Sequence, residues 1–580
     1  MSSDLTKFYF KEYDFIIIGA GTAGCVLANR LTEVPDWKVL LIEAGGPEHF
    51  LMDIPIVANF LQFSQANWKY RTQPSTSSCL GMKGGRCHWP RGKVMGGSSV
   101  LNYMIYTKGN RRDFDEWEAM GNKGWGWNNV SYYYRKMENI QIPKIARSKY
   151  HGTNGYLTIT EVPYKTPIAD AFVEAGQAIG QPIIDFNGPT QIGFNYLQVT
   201  MQNGTRWSSS RAYLHSIHER PNLHVKKNSM VTKIIIDPKT KTAMGVEFVR
   251  FGRKYFVKAK KEVIVSGGAI NSPQLLMLSG IGPENHLKNK SIKVIKNAKV
   301  GYNLQDHTAT GGLSYLIDYP FSIIFNRMLG VRKHITDYLS SHNGLFTVPG
   351  GCEALGFIDL RNMNDTDGYP DLELLLASGG IESDDTLHKN FNLDEKLYQQ
   401  MYGSIEGKDS FMILPLTMRP KSRGRIILRD NNPFHHPLIY PNYFSDPEGY
   451  DIKLAVAGIR MANKLVKTPS FRKLGAKLHD KPLPPCKNLG FDTDAYWECY
   501  AKHFTFTIYH HVGTCKMGPS SDPNAVVDER LRVRGIKHLR VIDASIMPLI
   551  PTAHTNAPTF MIAEKGSDMI KEDWDMINYL

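Results

Sequence analysis

Two histidines near the C-terminal end are the residues best placed to do chemistry. His510 stands in Tyr509-His510-His511-Val512-Gly513-Thr514, and His554 in Pro551-Thr552-Ala553-His554-Thr555-Asn556-Ala557-Pro558. A neutral imidazole, with an ordinary pKa of about 6.5, can remove a proton near neutral pH. One histidine in such a place is commonly structural. Two, each beside a glycine-bearing turn or a helix entry, read better as a pair. A helix starting near His554 would aim its positive end at whatever lies there.

An anion site is legible at the other end of the chain. The apolar run Phe15-Ile16-Ile17-Ile18 leads into Gly19, Gly21 and Gly24, then a helical pattern, then Val39-Leu40-Leu41-Ile42 ending at Glu43 and Ala44. That order is strand, glycine turn, helix, strand, acid. Gly19 permits the tight turn. Gly21, with Thr22 and Ala23 opening the helix, lets backbone approach a pyrophosphate, and Gly24 lets helix and strand pack closely. Glu43 can accept a hydrogen bond from a ribose hydroxyl. The motif alone does not choose between NAD and FAD.

These motifs sit in a chain of 580 residues, 42% apolar and 21% charged. That is a globular composition and a length for about two to four domains. No run of eighteen apolar residues suggests a membrane span. The net charge of +14 is spread along the chain without a long basic run, which favours a solvated surface over a nucleic-acid site. Of seven cysteines, Cys79/Cys87 and Cys486/Cys499 form local pairs in loop-like stretches, leaving Cys25, Cys352 and Cys515 unpaired. Asn129, Asn203, Asn289 and Asn364 head glycosylation sequons. Both features point outside the cell. The polar start of the chain is not a signal peptide, so a secreted precursor would carry a leader that this sequence lacks. No cysteine or histidine spacing suggests a metal site.

Residues 49–91, rich in Pro, Ser, Gly and aromatics, read as a long excursion or lid. Arg91-Gly92-Lys93-Val94-Met95-Gly96-Gly97-Ser98-Ser99-Val100-Leu101-Asn102 follows and suits a second loop-to-helix anion site. This segment resembles the first signature of the glucose–methanol–choline (GMC) family of FAD oxidoreductases. Gly267-Gly268-Ala269-Ile270-Asn271-Ser272-Pro273 resembles the second signature, after the strand-like Glu262-Val263-Ile264-Val265. Gly124-Trp125-Gly126-Trp127 resembles the family's helical substrate-side insertion. Val300-Gly301-Tyr302-Asn303-Leu304-Gln305-Asp306-His307 resembles its return loop, and Leu539-Arg540-Val541-Ile542, before Asp543 and Ala544, reads by itself as a buried strand. Alternating runs at 354–360 and 372–377 suggest a second sheet. The likeness covers nearly the whole chain and is greatest to secreted arthropod members, glucose dehydrogenases and oxidases of aromatic alcohols or cyanohydrins.

The resemblance implies an α/β Rossmann-like FAD domain from 13–48, 92–112, 222–309 and 535–572. It is interleaved with an α+β substrate domain, an antiparallel sheet backed by helices, from 113–221 and 310–534. Beside the first glycine loop and Glu43, it implies FAD contacts at Arg91, Gly97, Ser98, Asn102, Val231, Gly267, Asp543, Ala544, Thr555, Asn556 and Ala557. His510 takes the position of the base and His554 that of the alkoxide partner, with hydride passing to flavin N5; His511 is a bystander. Leu101 stands where some relatives tether the flavin through histidine, so noncovalent FAD is expected. The expected reaction is oxidation of an alcohol, an aromatic alcohol or cyanohydrin or a sugar, with oxygen or a quinone as acceptor. A hydroxynitrile lyase without net redox chemistry and a noncatalytic secreted binding protein are the other readings the same fold admits.

Overall fold

The computed structural model describes residues 11–361 and 368–579. The sequon at Asn364 and most of the polar N-terminal stretch lie outside them.

The first apolar run forms the strand Glu12–Ile18, between Val39–Ile42 and Arg253–Val265. Leu223–Lys226 and Leu539–Val541 complete a parallel set at its two edges. Val39–Ile42 and Leu539–Val541 are buried throughout, as a parallel sheet covered on both faces requires. The helix Thr22–Leu31 packs against the C-terminal helix Asn556–Asp573 on one side of it. An antiparallel meander of Ser229–Asp237, Thr242–Arg250 and Arg253–Val265 extends the sheet. Gly19, Glu43, Ser266 and Asp543 all follow the carboxyl ends of parallel strands, the edge at which such sheets bind ligands.

A second, antiparallel sheet has Leu372–Ala377 and Ser410–Thr417 at its centre, both wholly buried. Cys352–Ile358 and Gly193–Tyr196 lie beyond one side. The amphipathic helix Tyr450–Val466 covers one of its faces. The other face looks toward the first sheet, and the main cavity lies between the two.

The core divides accordingly into two large apolar clusters. Trp117, Trp125 and Tyr134, from the helices and turn that the resemblance assigned to the substrate side, join the cluster of the first sheet. The glycine-rich stretch after Arg91 differs from expectation in one respect. Gly97–Val100 is a single 3-10 turn that does not run on into an α-helix; the next helix begins only at Arg111. Its hydroxyls cap no helix of their own: Ser98 Oγ accepts from the Gly92 N–H, while Ser99 Oγ donates to the Gly96 carbonyl and accepts from the Ser209 N–H. Cys79–Cys87 and Cys486–Cys499 are disulfides, and Cys25, Cys352 and Cys515 are free and buried. Asn129, Asn203 and Asn289 are exposed.

Candidate active site

One cavity, with an empty volume of about 2220 Å³ including its mouth, runs from the carboxyl edge of the parallel sheet to the antiparallel sheet. Gly19, Gly21, Thr22, Ala23, Glu43, Ala44 and Val231 line its end beside the parallel sheet. Arg91, Gly97, Ser98, Asn102, Gly267, Asp543, Ala544, Thr555 and Asn556 line its middle, and His510 and His554 its far end. Ala557 is the exception: it is buried inside the first turn of its helix and off the cavity wall.

The end beside the parallel sheet is a glycine cradle. Gly97 has φ +54°, and a Cβ there would lie 2.6 Å from Gly21 Cα, so the two loops meet backbone to backbone. At Gly21, by contrast, the nearest protein atom to a Cβ would be 3.9 Å away. The protein itself leaves room there; a ligand pressed on that backbone would not. The helix Thr22–Leu31 has no side-chain cap, and neither does Asn556–Asp573. Both therefore present free N–H groups and a positive dipole end. Thr22 Oγ1 donates to Asn556 Oδ1 at 2.8 Å and joins the two helix starts. Glu43 is held between the N–H groups of Ala20 and Gly45, each at 2.8 Å. Burial pushes its carboxyl up to about 7, against the pull of those N–H groups. Uncapped helix starts, a cradle without side chains and a fixed carboxylate together fit the pyrophosphate and ribose of a dinucleotide.

Two expected contacts carry structural duties as well. Asp543 accepts from the Gly268 N–H and Ser272 Oγ with one oxygen and from the Ser545 N–H with the other, so it braces the Gly267 loop. Asn102 Oδ1 accepts from the Met104 N–H and the buried Arg206 guanidinium.

At the far end the His510 and His554 rings stand at 82°, with centroids 4.6 Å apart. His510 is pinned through its backbone N–H to Asp306 Oδ1 at 2.9 Å, and its Nδ1 lies 2.9 Å from His307 Nδ1. Burial, with His554, His307, His511 and Arg91 nearby, holds its pKa well below the ordinary imidazole value. It is therefore neutral and able to take a proton. His554 Nε2 lies 2.9 Å from Glu373 Oε1. His511 points elsewhere: its ring packs on Trp89 with centroids 3.5 Å apart, and it is not on the cavity wall.

Glu373 and His307 were not singled out from the sequence. A signal existed for the first: Glu373 is the lone charge in the buried strand Leu372–Ala377. Strand alternation puts Glu373, Leu375 and Ala377 on one face, opposite Leu416, Leu414 and Met412 of the neighbouring strand. That face, together with Phe391 and Phe506, makes the wall beyond the histidines apolar.

The GMC oxidoreductase family pattern matches residues 13–309 in its N-terminal part and 420–563 in its C-terminal part. The chain is 40% identical over 568 residues to the glucose dehydrogenase [FAD, quinone] of Drosophila melanogaster, covering 97% of this chain and 87% of that one. It is 36% identical over 579 residues to the alcohol dehydrogenase [acceptor] of Pseudomonas putida, covering 97% and 96%. Among solved structures it is similar to pyridoxine 4-oxidase from Mesorbium loti, with a TM-score of 0.81, 26% identity and coverage of 96% and 98%. The chain thus belongs to the GMC oxidoreductase family and is an FAD-dependent enzyme that oxidises the CH–OH group of its donor.

Proposed function

We propose that this enzyme oxidises a small apolar or aromatic alcohol, with His510 as the base and His554 as the partner of the substrate oxygen. The observation that carries this reading is the placing of the two perpendicular rings between the glycine cradle and an apolar wall. When bound, FAD supplies the acceptor for the hydride leaving the alcohol carbon. His510 Nε2 takes the hydroxyl proton. Glu373 Oε1 anchors Nε2 of His554 and so orients that ring toward the developing alkoxide. The N–H groups at the start of Asn556–Asp573 add positive potential nearby.

The wall formed by Leu375, Ala377, Phe391, Met412, Leu414 and Phe506 offers no hydrogen-bonding side chain to a sugar's further hydroxyls. Gln62, Tyr103 and Tyr509 form a polar rim in which the Gln62 amide donates to each tyrosine hydroxyl at 3.4 Å, enough to orient one substrate group rather than several. Leu101 lines the cavity and has no nucleophilic atom, which supports noncovalent FAD. Disulfides and exposed sequons support a secreted glycoprotein. An alcohol panel of benzyl alcohol, mandelonitrile and D-glucose, read in parallel by peroxide release and dye reduction, tests the reading. Turnover of glucose alone would overturn the substrate class; the stronger of the two signals assigns oxygen or a quinone-type acceptor.

A further inference from the structure

The proton positions on His510 follow from a partner two steps away. The Met418 carbonyl can only accept, and it lies 3.0 Å from Nε2 of His307, so that nitrogen carries a proton. His307 is fully buried, and burial with His554 nearby takes its pKa down to about 3. The ring is neutral, and its Nδ1 holds a lone pair. That lone pair faces Nδ1 of His510 at 2.9 Å, with the two rings at 80°. Two lone pairs cannot face each other at this distance, so His510 Nδ1 carries the proton and donates it. His510 is neutral as well, which leaves Nε2 bare. Among the described residues no protein group hydrogen-bonds to that atom, and His510 lines the cavity.

We propose that His307 is a positioning residue that fixes the Nδ1–H tautomer of His510 and so presents Nε2 to the substrate as the basic atom. The inference rests on the reading of His510 as the base. When the substrate O–H bond breaks, the proton forms a new bond to Nε2, and the Nδ1–H already donated to His307 stays in place. The resulting imidazolium then holds a charge-assisted hydrogen bond, so the same contact supports the base before and after proton transfer. Met418, His307 and His510 form one chain from a carbonyl to the substrate. Asp306, next to His307, holds the His510 backbone, so adjacent residues fix both the position and the tautomer of one ring. The other charged or titratable groups bearing on His510 are His554, His511 and Arg91, all of which oppose its protonation.

Three holoenzyme variants test this: His307→Leu, which lacks an acceptor; His307→Asn, whose amide oxygen can stand near the Nδ1 position; and His510→Ala. Each is reduced anaerobically in a stopped flow with whichever panel alcohol bleaches the wild-type flavin, and FAD content is read from absorbance. His307→Leu should slow the limiting rate about a hundredfold at unchanged FAD content and alcohol affinity. Its acid limb should move to lower pH, because the imidazolium loses its partner. His307→Asn should recover to within about tenfold of wild type. In 15N-histidine NMR of the wild type, His510 should show a protonated Nδ1 and a bare Nε2. An Nε2-protonated His510 in the wild type, or a His307→Leu enzyme reduced at the wild-type rate, overturns the proposal. If His510→Ala is inactive while His307→Leu is not, the base stands and only the tautomer role falls. If His510→Ala is reduced normally, the base assignment itself is wrong.

Discussion

Glu373 Oε1 lies 2.9 Å from Nε2 of His554, although the two residues are 181 positions apart. The carboxylate comes from the central strand of the antiparallel sheet and the histidine from the entry to the C-terminal helix. Its second oxygen is buried without a protein partner among the described residues. Glu373→Gln keeps the shape and removes the charge. A hydrogen bond to a charged group contributes about 1.5–3 kcal/mol, so flavin reduction by the alcohol should slow about tenfold to a hundredfold. FAD content should hold. An unchanged reduction rate would show that His554 does not depend on this carboxylate.

His510→Ala should slow anaerobic flavin reduction by about two to four orders of magnitude, the range expected for a general base. His554→Asn should be milder than His554→Ala, because the amide can still donate a hydrogen bond. His511→Ala should leave the chemical step nearly intact, since that ring packs on Trp89 away from the cavity. Activity lost in His511→Ala and kept in His510→Ala would move the assignment by one residue.

The pH profile should carry the signature of a buried base. His510 is held well below 6.5 by burial and its cationic or histidine neighbours, so it stays neutral as pH falls through 6.5. The reduction rate should therefore remain level below pH 6.5 and drop only at more acid pH. A limb at or above 6.5 would contradict this. Stability behaves differently. His307, His510 and His511 are all depressed in the fold, so below about 6.5 the unfolded chain takes up protons that the folded chain does not. These three histidines therefore weaken the fold as pH drops through that region, whereas the buried carboxyls of Glu43, Asp306 and Glu353, raised to about 7, act in the opposite sense. Thermal melts at fixed ionic strength should show the histidine share as a less acid-sensitive stability in His511→Ala than in the wild type.

Two glycine substitutions should separate fold from cofactor. Gly97→Ala forces a Cβ to 2.6 Å from Gly21 Cα at a left-handed φ, so both the melting temperature and FAD content should fall. Gly21→Ala meets no protein atom closer than 3.9 Å, so the fold should survive while the yellow colour is lost. Full FAD occupancy in Gly21→Ala would rule out close approach of the pyrophosphate at that backbone.

Mass spectrometry without reductant, on naturally produced protein, should find the 79–87 and 486–499 peptides linked and Cys25, Cys352 and Cys515 alkylatable after unfolding. Asn129 and Asn203 are the exposed sequons to inspect for glycans, with Asn289. Opening either disulfide should cost about 2–4 kcal/mol. Four free thiols at those cysteines, with unmodified sequons, would argue against a secreted glycoprotein.

Much of this molecule was legible in its residues because the determining physics is local. Alternation and apolar runs gave the strands Val39–Ile42 and Leu372–Ala377. The spacing of Gly19, Gly21 and Gly24 gave the turn into Thr22–Leu31, and the Pro, Thr and Asn after residue 550 gave the entry to Asn556–Asp573. The Gly97 segment misled, because its hydroxyls bond Gly92, Gly96 and the distant Ser209 instead of capping a helix. What the residues alone could not decide is how the two histidines are held. Glu373 and His307 reach His554 and His510 across 181 and 203 positions of chain. No periodicity links residues so far apart. Pairing of Thr308–Thr310 with Thr505–Thr507 inside the second sheet sets His307 beside His510, and the packing of that sheet against the first brings Glu373 to His554; at that distance a carbonyl on Met418 settles where the proton on His510 must sit.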